Sequence, residues 1–123
     1  MKVLLDTHVL LWWLADDPRL SARHRDVVAD GRNDVYYSAV SIAEMAIKTS
    51  LGKLEAPAGV PAALEAQGMT PLPFTAAHAE RLRDLPWHHR DPFDRMLVAQ
   101  GQVEGLMVAT VDARIRAYDV PTL

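Results

Sequence analysis

The first strand-like segment of the chain ends at an acid, and this arrangement restricts the fold more than any other feature. The apolar run 3–5 is followed directly by Asp6, and a largely apolar helical pattern begins at Thr7. Open α/β folds bind ligands in the crevice outside the carboxyl ends of their parallel strands. Asp6 is therefore predicted to lie at such an edge. A carboxylate this close to a core requires a partner.

Strand-like and helical segments alternate along the rest of the chain. Strands are predicted at 3–5, 35–39, 69–72 and 106–110, with a short final strand within 118–123. Helices are predicted at 7–14, 22–30, 41–51, 61–67, 76–85 and 92–104, with a helix or turn at 112–117. This alternation is typical of a three-layer α/β/α sandwich with a central, mostly parallel sheet of four to five strands.

Two helix starts carry information about candidate site residues. Ser41 and Glu44 have the spacing of a capping box, which predicts that a helix begins at Ser41 with Glu44 in its first turn. Asp91 suits an N-cap and Pro92 the first helical position, which places Asp94 in the first turn of the next helix.

Composition limits the class of protein. The 123 residues predict one domain spanning 1–123, and the absence of cysteine excludes disulfides and thiolate zinc sites. No apolar run is long enough to span a bilayer, so a protein without membrane association is expected, and the lack of cysteine suits the cytoplasm. The net charge of −3 is a poor signature for a nucleic-acid-binding protein.

Four acids occupy comparable places. Asp6 and Asp112 follow strand-like runs, whereas Glu44 and Asp94 lie in predicted first turns of helices. Parallel strands end at one edge of a sheet, so these acids are predicted to converge there. Each alone also has a structural explanation, since an acid in a first turn gains about 0.3–1 kcal/mol from the helix dipole. Together they would repel one another unless a hard cation such as Mg²⁺ or Mn²⁺ neutralised them, and such ions support phosphodiester hydrolysis.

Four segments, in order along the whole chain, resemble the PIN domain of VapC-type toxins, the ribonuclease halves of bacterial toxin–antitoxin pairs. They are DTHVLLWWL (6–14), SAVSIAE (38–44), RDPFDRMLVAQ (90–100) and TVD (110–112). The resemblance implies a PIN-like fold and a metal-dependent endoribonuclease that cleaves RNA with a metal-activated water. It also implies Mg²⁺ or Mn²⁺, a structured RNA substrate such as transfer RNA, a homodimer, and a cognate antitoxin.

The resemblance assigns roles to particular residues. It places the metal-binding and catalytic carboxylates at Asp6, Glu44, Asp94 and Asp112, and supporting hydroxyls at Thr7 and Thr110. Asp91 is an additional acid, for which the N-cap role is the better interpretation.

RNA contacts are expected in the loop before Asp94 and at Arg95, which directly follows it. When the four metal-bound acids are set aside, 13 basic residues face 12 acidic ones, so the net charge does not exclude RNA. The RNA-binding candidates are His88, His89, Arg90 and Arg95, and Trp87 offers a surface on which a base could stack. Metal binding by the histidine pair is not favoured, because adjacent loop side chains commonly diverge.

Other classes of metal-dependent protein fit the sequence less well. A receiver-type phosphoacceptor would need an acidic pair after the first strand and a lysine after the last. A phosphatase of the haloacid dehalogenase type would need an aspartate where His8 stands. A non-catalytic PIN-like module that binds RNA or protein is the remaining alternative, because an acidic set provides for metal binding and not necessarily for turnover.

Overall fold

A sheet of four parallel strands forms the centre of the molecule. The computed structural model describes residues 1–123, and the strand order across the sheet is β3-β2-β1-β4. The strands are β1 (Lys2–Leu5), β2 (Asp34–Ser38), β3 (Thr70–Leu72) and β4 (Met107–Ala109). In the central strand, Val3 pairs with Val35 of β2 on one side and with Met107 of β4 on the other. The predicted parallel sheet is confirmed.

Seven helices connect and cover the strands. They are α1 (Thr7–Leu14), α2 (Ala22–Ala29), α3 (Ala39–Ser50), α4 (Val60–Ala66), α5 (Ala76–Arg81), α6 (Pro92–Glu104) and α7 (Ala113–Arg116), with a 3₁₀ turn at Leu82–Asp84. None of these helices combines the length and the apolar character needed to cross a membrane.

The side chains of β1 alternate between two hydrophobic layers, as the two-residue period of a strand requires. Val3 and Leu5 belong to a core cluster that includes Leu64 of α4. Leu4 points the other way and packs in a cluster with Leu97 of α6. Because both faces of the sheet are buried, every position of β1 after the exposed Lys2 is apolar. The predicted three-layer sandwich is therefore present.

Two predictions of local secondary structure are wrong, and the first is the residue at which α3 begins. Helix α3 begins at Ala39, because Ser38 has an extended backbone and its hydroxyl caps the helix by accepting from the amide of Val40. Glu44 consequently lies in the second turn and has no capping-box role.

The final strand is also smaller than predicted. The segment after α7 makes a single parallel bridge to β4, between Thr122 and Val108. It does, however, place the carbonyl of Leu123 within hydrogen-bond distance of the Thr110 amide, at 3.3 Å.

Candidate functional site

Asp6 lies at the carboxyl end of β1, with only 2 % of its surface exposed. Its amide donates to the carbonyl of Ala109 in β4, and its carboxylate caps α1 by accepting from the amide of Val9 at 2.8 Å. Burial raises the pKa of Asp6, and hydrogen bonds from the Thr110 hydroxyl and the Val9 amide partly oppose that rise. Asp6 thus combines an N-cap role with a buried charge that needs further compensation.

Glu44 reaches the same edge of the sheet from α3, and it is 4 % exposed. One carboxylate oxygen, Oε2, accepts from Nζ of Lys48 one turn later in the helix. The other oxygen, Oε1, is buried and has no hydrogen-bond partner. A buried carboxylate oxygen without a partner is costly unless a ligand occupies the space beside it.

Asp94 is close enough to the other acids to be affected by their charges. Burial and the negative charges of nearby acids raise the pKa of Asp94 to about 6, while His89 acts in the opposite direction. In order of decreasing effect, those acids are Asp91, Glu44 and Asp6. Asp91 itself caps α6 by accepting from the amides of Phe93 and Asp94. The negative charges of the acids on β1 and α3 thus act on Asp94, while the three side chains whose potential ligand atoms lie within 4.8 Å of one another are His89, Asp94 and Asp112.

His89 joins Asp94 to Asp112. Its Nε2 lies 2.9 Å from Oδ2 of Asp94 and 3.1 Å from Oδ2 of Asp112. The opposite ring nitrogen, Nδ1, accepts from the amide of Asp91 at 3.1 Å. Because Nδ1 accepts, the ring proton is on Nε2, where it is shared between the two carboxylates. In this tautomer His89 is a donor that orients two acids, and it has no free lone pair for a metal.

Asp112 completes the acidic group from the segment after β4. It caps α7 through the amide of Arg114, and its own amide donates to the hydroxyl of Thr110. Burial raises the pKa of Asp112, but hydrogen bonds from Arg114 and His89 outweigh it, so the net shift is downward. Asp112 is thus an ionised acid in an environment more polar than that of Asp6.

The two predicted hydroxyl residues lie beside the acids. Thr110 is fully buried, and its hydroxyl contacts the Asp112 amide and the Asp6 carboxylate. The Thr7 hydroxyl forms a buried hydrogen bond of 2.9 Å with that of Ser41, which connects α1 to α3. Both threonines therefore hold the elements that carry the acids.

The predicted RNA-binding residues divide into two groups. Arg90 and His88 are exposed, and the His88 ring packs edge-on against Tyr118. His89 is 4 % and Arg95 is 5 % exposed, so neither presents a polar group for surface contact with RNA. The interpretation of His89 and Arg95 as RNA contacts is wrong.

Arg95 has a structural role instead. Its Nη1 donates to the carbonyl of Pro86 at 2.8 Å and to the hydroxyl of Tyr118 at 3.0 Å, and its Nη2 donates to the carbonyl of Leu85. These carbonyls belong to the loop before α6, so Arg95 fixes that loop.

Sequence reasoning missed Lys48 as a site residue, and it proposed His89 as an RNA contact rather than as a partner of the acids. The four-residue spacing of Glu44 and Lys48 on one helix was an available signal for Lys48, since such pairs are neighbours on a helix surface. For His89 no such signal existed, because its contacts depend on where a loop passes.

The donor set fits a hard divalent cation. Asp6, Glu44, Asp94 and Asp112 offer carboxylate oxygens and there is no thiolate, which is the chemistry that Mg²⁺ and Mn²⁺ prefer. Oε1 of Glu44 has no hydrogen-bond partner and could ligate such an ion, and a cation would stabilise the Asp94 carboxylate against the burial and the acidic neighbours that raise its pKa.

Comparisons with known proteins agree with the fold and identify the family. Ribonuclease VapC22 of Mycobacterium tuberculosis is 28% identical over 122 residues, which cover 97% of this chain and 93% of the relative. Among solved structures, VapBC2 from Rickettsia felis bound to a DNA fragment from its promoter has a TM-score of 0.71 at 14% identity, covering 100% of this chain and 98% of its own. FitAcB from Neisseria gonorrhoeae has a TM-score of 0.61 at 22% identity, covering 98% and 96%. The family model described as the PIN domain matches residues 3–121, and this chain therefore belongs to the PIN domain family.

Proposed function

We propose that this protein is a metal-dependent endoribonuclease of the VapC type, the toxin of a toxin–antitoxin pair. The observation that carries the proposal is that buried Asp6 and Glu44 carry charges that act on half-buried Asp94, on elements that begin at or end at the carboxyl edge of a parallel sheet. The similarity to a relative named ribonuclease VapC22 supports the choice of RNA as substrate.

Each acid has a role in the proposed site. Asp6, Glu44 and Asp94 would hold Mg²⁺ or Mn²⁺, and Asp112 would complete the set. When bound, such an ion supplies an activated water and stabilises negative charge on the phosphoryl group.

The other residues of the site act on the acids. The N–H of His89 holds Asp94 and Asp112 in position, and the Thr110 hydroxyl does the same for Asp6. Lys48 neutralises one oxygen of Glu44 and leaves the other available to a cation. The proposed product is an RNA with a 5′-phosphate end.

The first prediction tests the acids. Asp6→Asn and Asp94→Asn each remove one negative charge while keeping the size of the side chain, so cleavage of RNA in Mg²⁺ should fall by at least about a hundredfold. The measurement is gel analysis of labelled RNA with purified protein, with EDTA as the metal-free reference. Asp26→Asn, a change at an exposed position on α2, is the matched control and should cleave normally. Cleavage at the parent rate by either site variant would refute the assignment.

The RNA target and the partners need their own experiments. Mapping of 5′-phosphate ends in total cellular RNA after brief expression, compared with the Asp94→Asn variant, would identify the substrate and test transfer RNA. Light scattering after size exclusion would test the proposed homodimer, and co-purification with the product of an adjacent gene would test the proposed antitoxin. RNA binding without cleavage in any divalent metal would favour the non-catalytic module instead.

A further inference from the structure

Trp87 is the most exposed of the large apolar side chains. It is 75 % exposed, compared with 62 % for Leu51 and 51 % for Val111. Exposed tryptophan is unusual on a surface that contacts only water, because its large ring gains much from burial. The position of Trp87, in the loop just before α6, is therefore a candidate for an interaction surface.

One face of the Trp87 indole ring packs against Arg95. The guanidinium carbon of Arg95 lies 3.7 Å from the ring centroid, so the cation covers one face of the ring. Arg95 is itself fixed by the Pro86 carbonyl and the Tyr118 hydroxyl. The high exposure of the residue means that the opposite face is open. A rigid aromatic face loses little conformational entropy when a second flat group stacks on it.

The surface beside the ring is strongly cationic. Trp87 borders an open cleft of about 390 Å³ whose lining includes Arg83, Arg90 and Arg95 but no acidic residue. Arg90 is exposed and forms no ion pair with any acid of the chain. Arg83 lies 3.3 Å from Glu80, but both side chains are largely exposed, so this pair is weak and Arg83 is free to exchange partners.

The loop that lines the cleft also carries a residue that contacts the acids. Arg90 directly follows His89, which contacts Asp94 and Asp112. Pro92, the first residue of α6, also lines the cleft. The loop before α6 thus exposes the Trp87 ring and the Arg90 side chain to solvent. The same loop places His89 against Asp94 and Asp112.

We propose that Trp87, Arg83 and Arg90 form a docking surface for single-stranded RNA next to the proposed cleavage site. A base stacks on the open face of Trp87, and the two arginines contact the phosphates on either side. This inference rests on the proposed function and specifies how its substrate is held. RNA is favoured over a second copy of the chain, because two copies meeting symmetrically here would bring arginines against arginines.

The test measures binding separately from cleavage. Each surface variant is made in the Asp94→Asn background, and the affinity for a labelled single-stranded RNA oligonucleotide is measured by fluorescence anisotropy in Mg²⁺. Trp87→Ala should weaken binding about tenfold, and Trp87→Phe should recover most of it because a stacking face is retained. Arg90→Gln should weaken binding and reduce the slope of log affinity against log salt by about one.

Matched controls use exposed residues outside the cleft. Leu51→Ala removes an exposed apolar side chain and Arg23→Gln an exposed arginine, and both should bind RNA like the parent. If Trp87→Ala binds RNA normally, the docking surface is refuted. If it binds normally and also changes the molar mass in solution, the surface is a contact between protein chains. Circular dichroism of each variant verifies folding.

Failure of the docking surface and failure of the proposed function give different results. If the parent cleaves RNA in Mg²⁺ and Trp87→Ala leaves both KM and affinity unchanged, the nuclease stands and the docking surface is wrong. If the parent binds RNA through Trp87 but never cleaves it, the docking surface stands and the nuclease is wrong. If the parent does not bind RNA, both are wrong.

Discussion

His89 presents one N–H to two carboxylates. Its Nδ1 is occupied by the Asp91 amide, so the ring is fixed in one tautomer and one orientation. Groups that hold ligand side chains in this way commonly change metal affinity or activity by 10–100-fold when they are removed. His89 is therefore a positioning residue for Asp94 and Asp112.

The second prediction concerns this positioning role. His89→Ala removes the shared N–H and should lower kcat for RNA cleavage by about 10–100-fold, whereas His89→Gln keeps a donor and should retain more activity. Steady-state cleavage at several Mg²⁺ concentrations measures both kcat and apparent metal affinity. A purely structural histidine would lower stability in both variants without a recovery of kcat in the glutamine variant. That outcome would contradict the positioning role.

At the residue scale, the sequence predicted the positions of the acids in the fold better than the contacts of the residues around them. Asp6 and Asp112 follow strands of the parallel sheet and Asp94 follows the Asp91 N-cap, so local patterns were sufficient to place these acids along the fold. His89 and Arg95 were misassigned because their surroundings are set by Tyr118 in the C-terminal segment, which local sequence does not specify. An arginine near the start of a helix is usually exposed, and only the packing shows that Arg95 is enclosed.

At the element scale, α6 lies unusually close to β4 and the C-terminal segment. A Cβ atom built at Gly101 would lie 3.0 Å from Cγ2 of Val108 and 3.0 Å from Cγ2 of Val120. Both valines are buried in the cluster between α6 and the sheet. Glycine at this position therefore sets how closely the helix that carries Asp94 approaches the sheet.

The third prediction concerns the close packing of α6 against the sheet at Gly101. Gly101→Ala should lower the free energy of unfolding by about 1 kcal/mol or more, because overpacking costs roughly 1–3 kcal/mol and alanine's better helix propensity recovers up to about 1. Urea denaturation measures the change. Gly31→Ala is the control: nothing lies within 4 Å of a Cβ there, and a change within about 0.5 kcal/mol is expected. A more stable Gly101→Ala variant would mean that the valines move aside at little cost.

The start of α3 shows why element boundaries were predicted less well than element types. Two serines, Ser38 and Ser41, both suit an N-cap, and the capping-box spacing favoured the second. In the structure the Ser38 hydroxyl also donates to Gln100 of α6 at 2.5 Å, a contact between elements that are far apart in sequence. Tertiary hydrogen bonding thus selects the earlier start and moves Glu44 into the second turn.

At the scale of the whole molecule, the buried acids oppose folding unless a cation is present. The raised pKa values of Asp6 and Asp94 have burial as their largest cause, and for Asp94 the neighbouring acids add to it. A ligand that binds only the folded state stabilises it by mass action. Metal binding and folding are therefore expected to be coupled.

The fourth prediction follows from this coupling. At neutral pH, millimolar MgCl₂ should raise the Tm of the metal-free protein by about 5 °C or more, measured against NaCl of equal ionic strength to remove general screening. Asp94→Asn relieves part of the repulsion, so it should raise the Tm without metal and reduce the response to Mg²⁺. Asp26→Asn should respond like the parent. An equal response in Mg²⁺ and in NaCl would contradict metal binding at these acids.

The order of strands in the sheet has a consequence for the timing of activity. Of the four strands, the central strand β1 is synthesised before its partner β4, which contains residues 107–109, and their pairing places Asp112 beside the site. Closing such a long loop has an entropic cost that only the complete set of contacts offsets. A nascent chain that ends before β4 would contain Asp6, Glu44 and Asp94 but no finished sheet edge to gather them. The proposed nuclease would thus become active only after β4 has been synthesised.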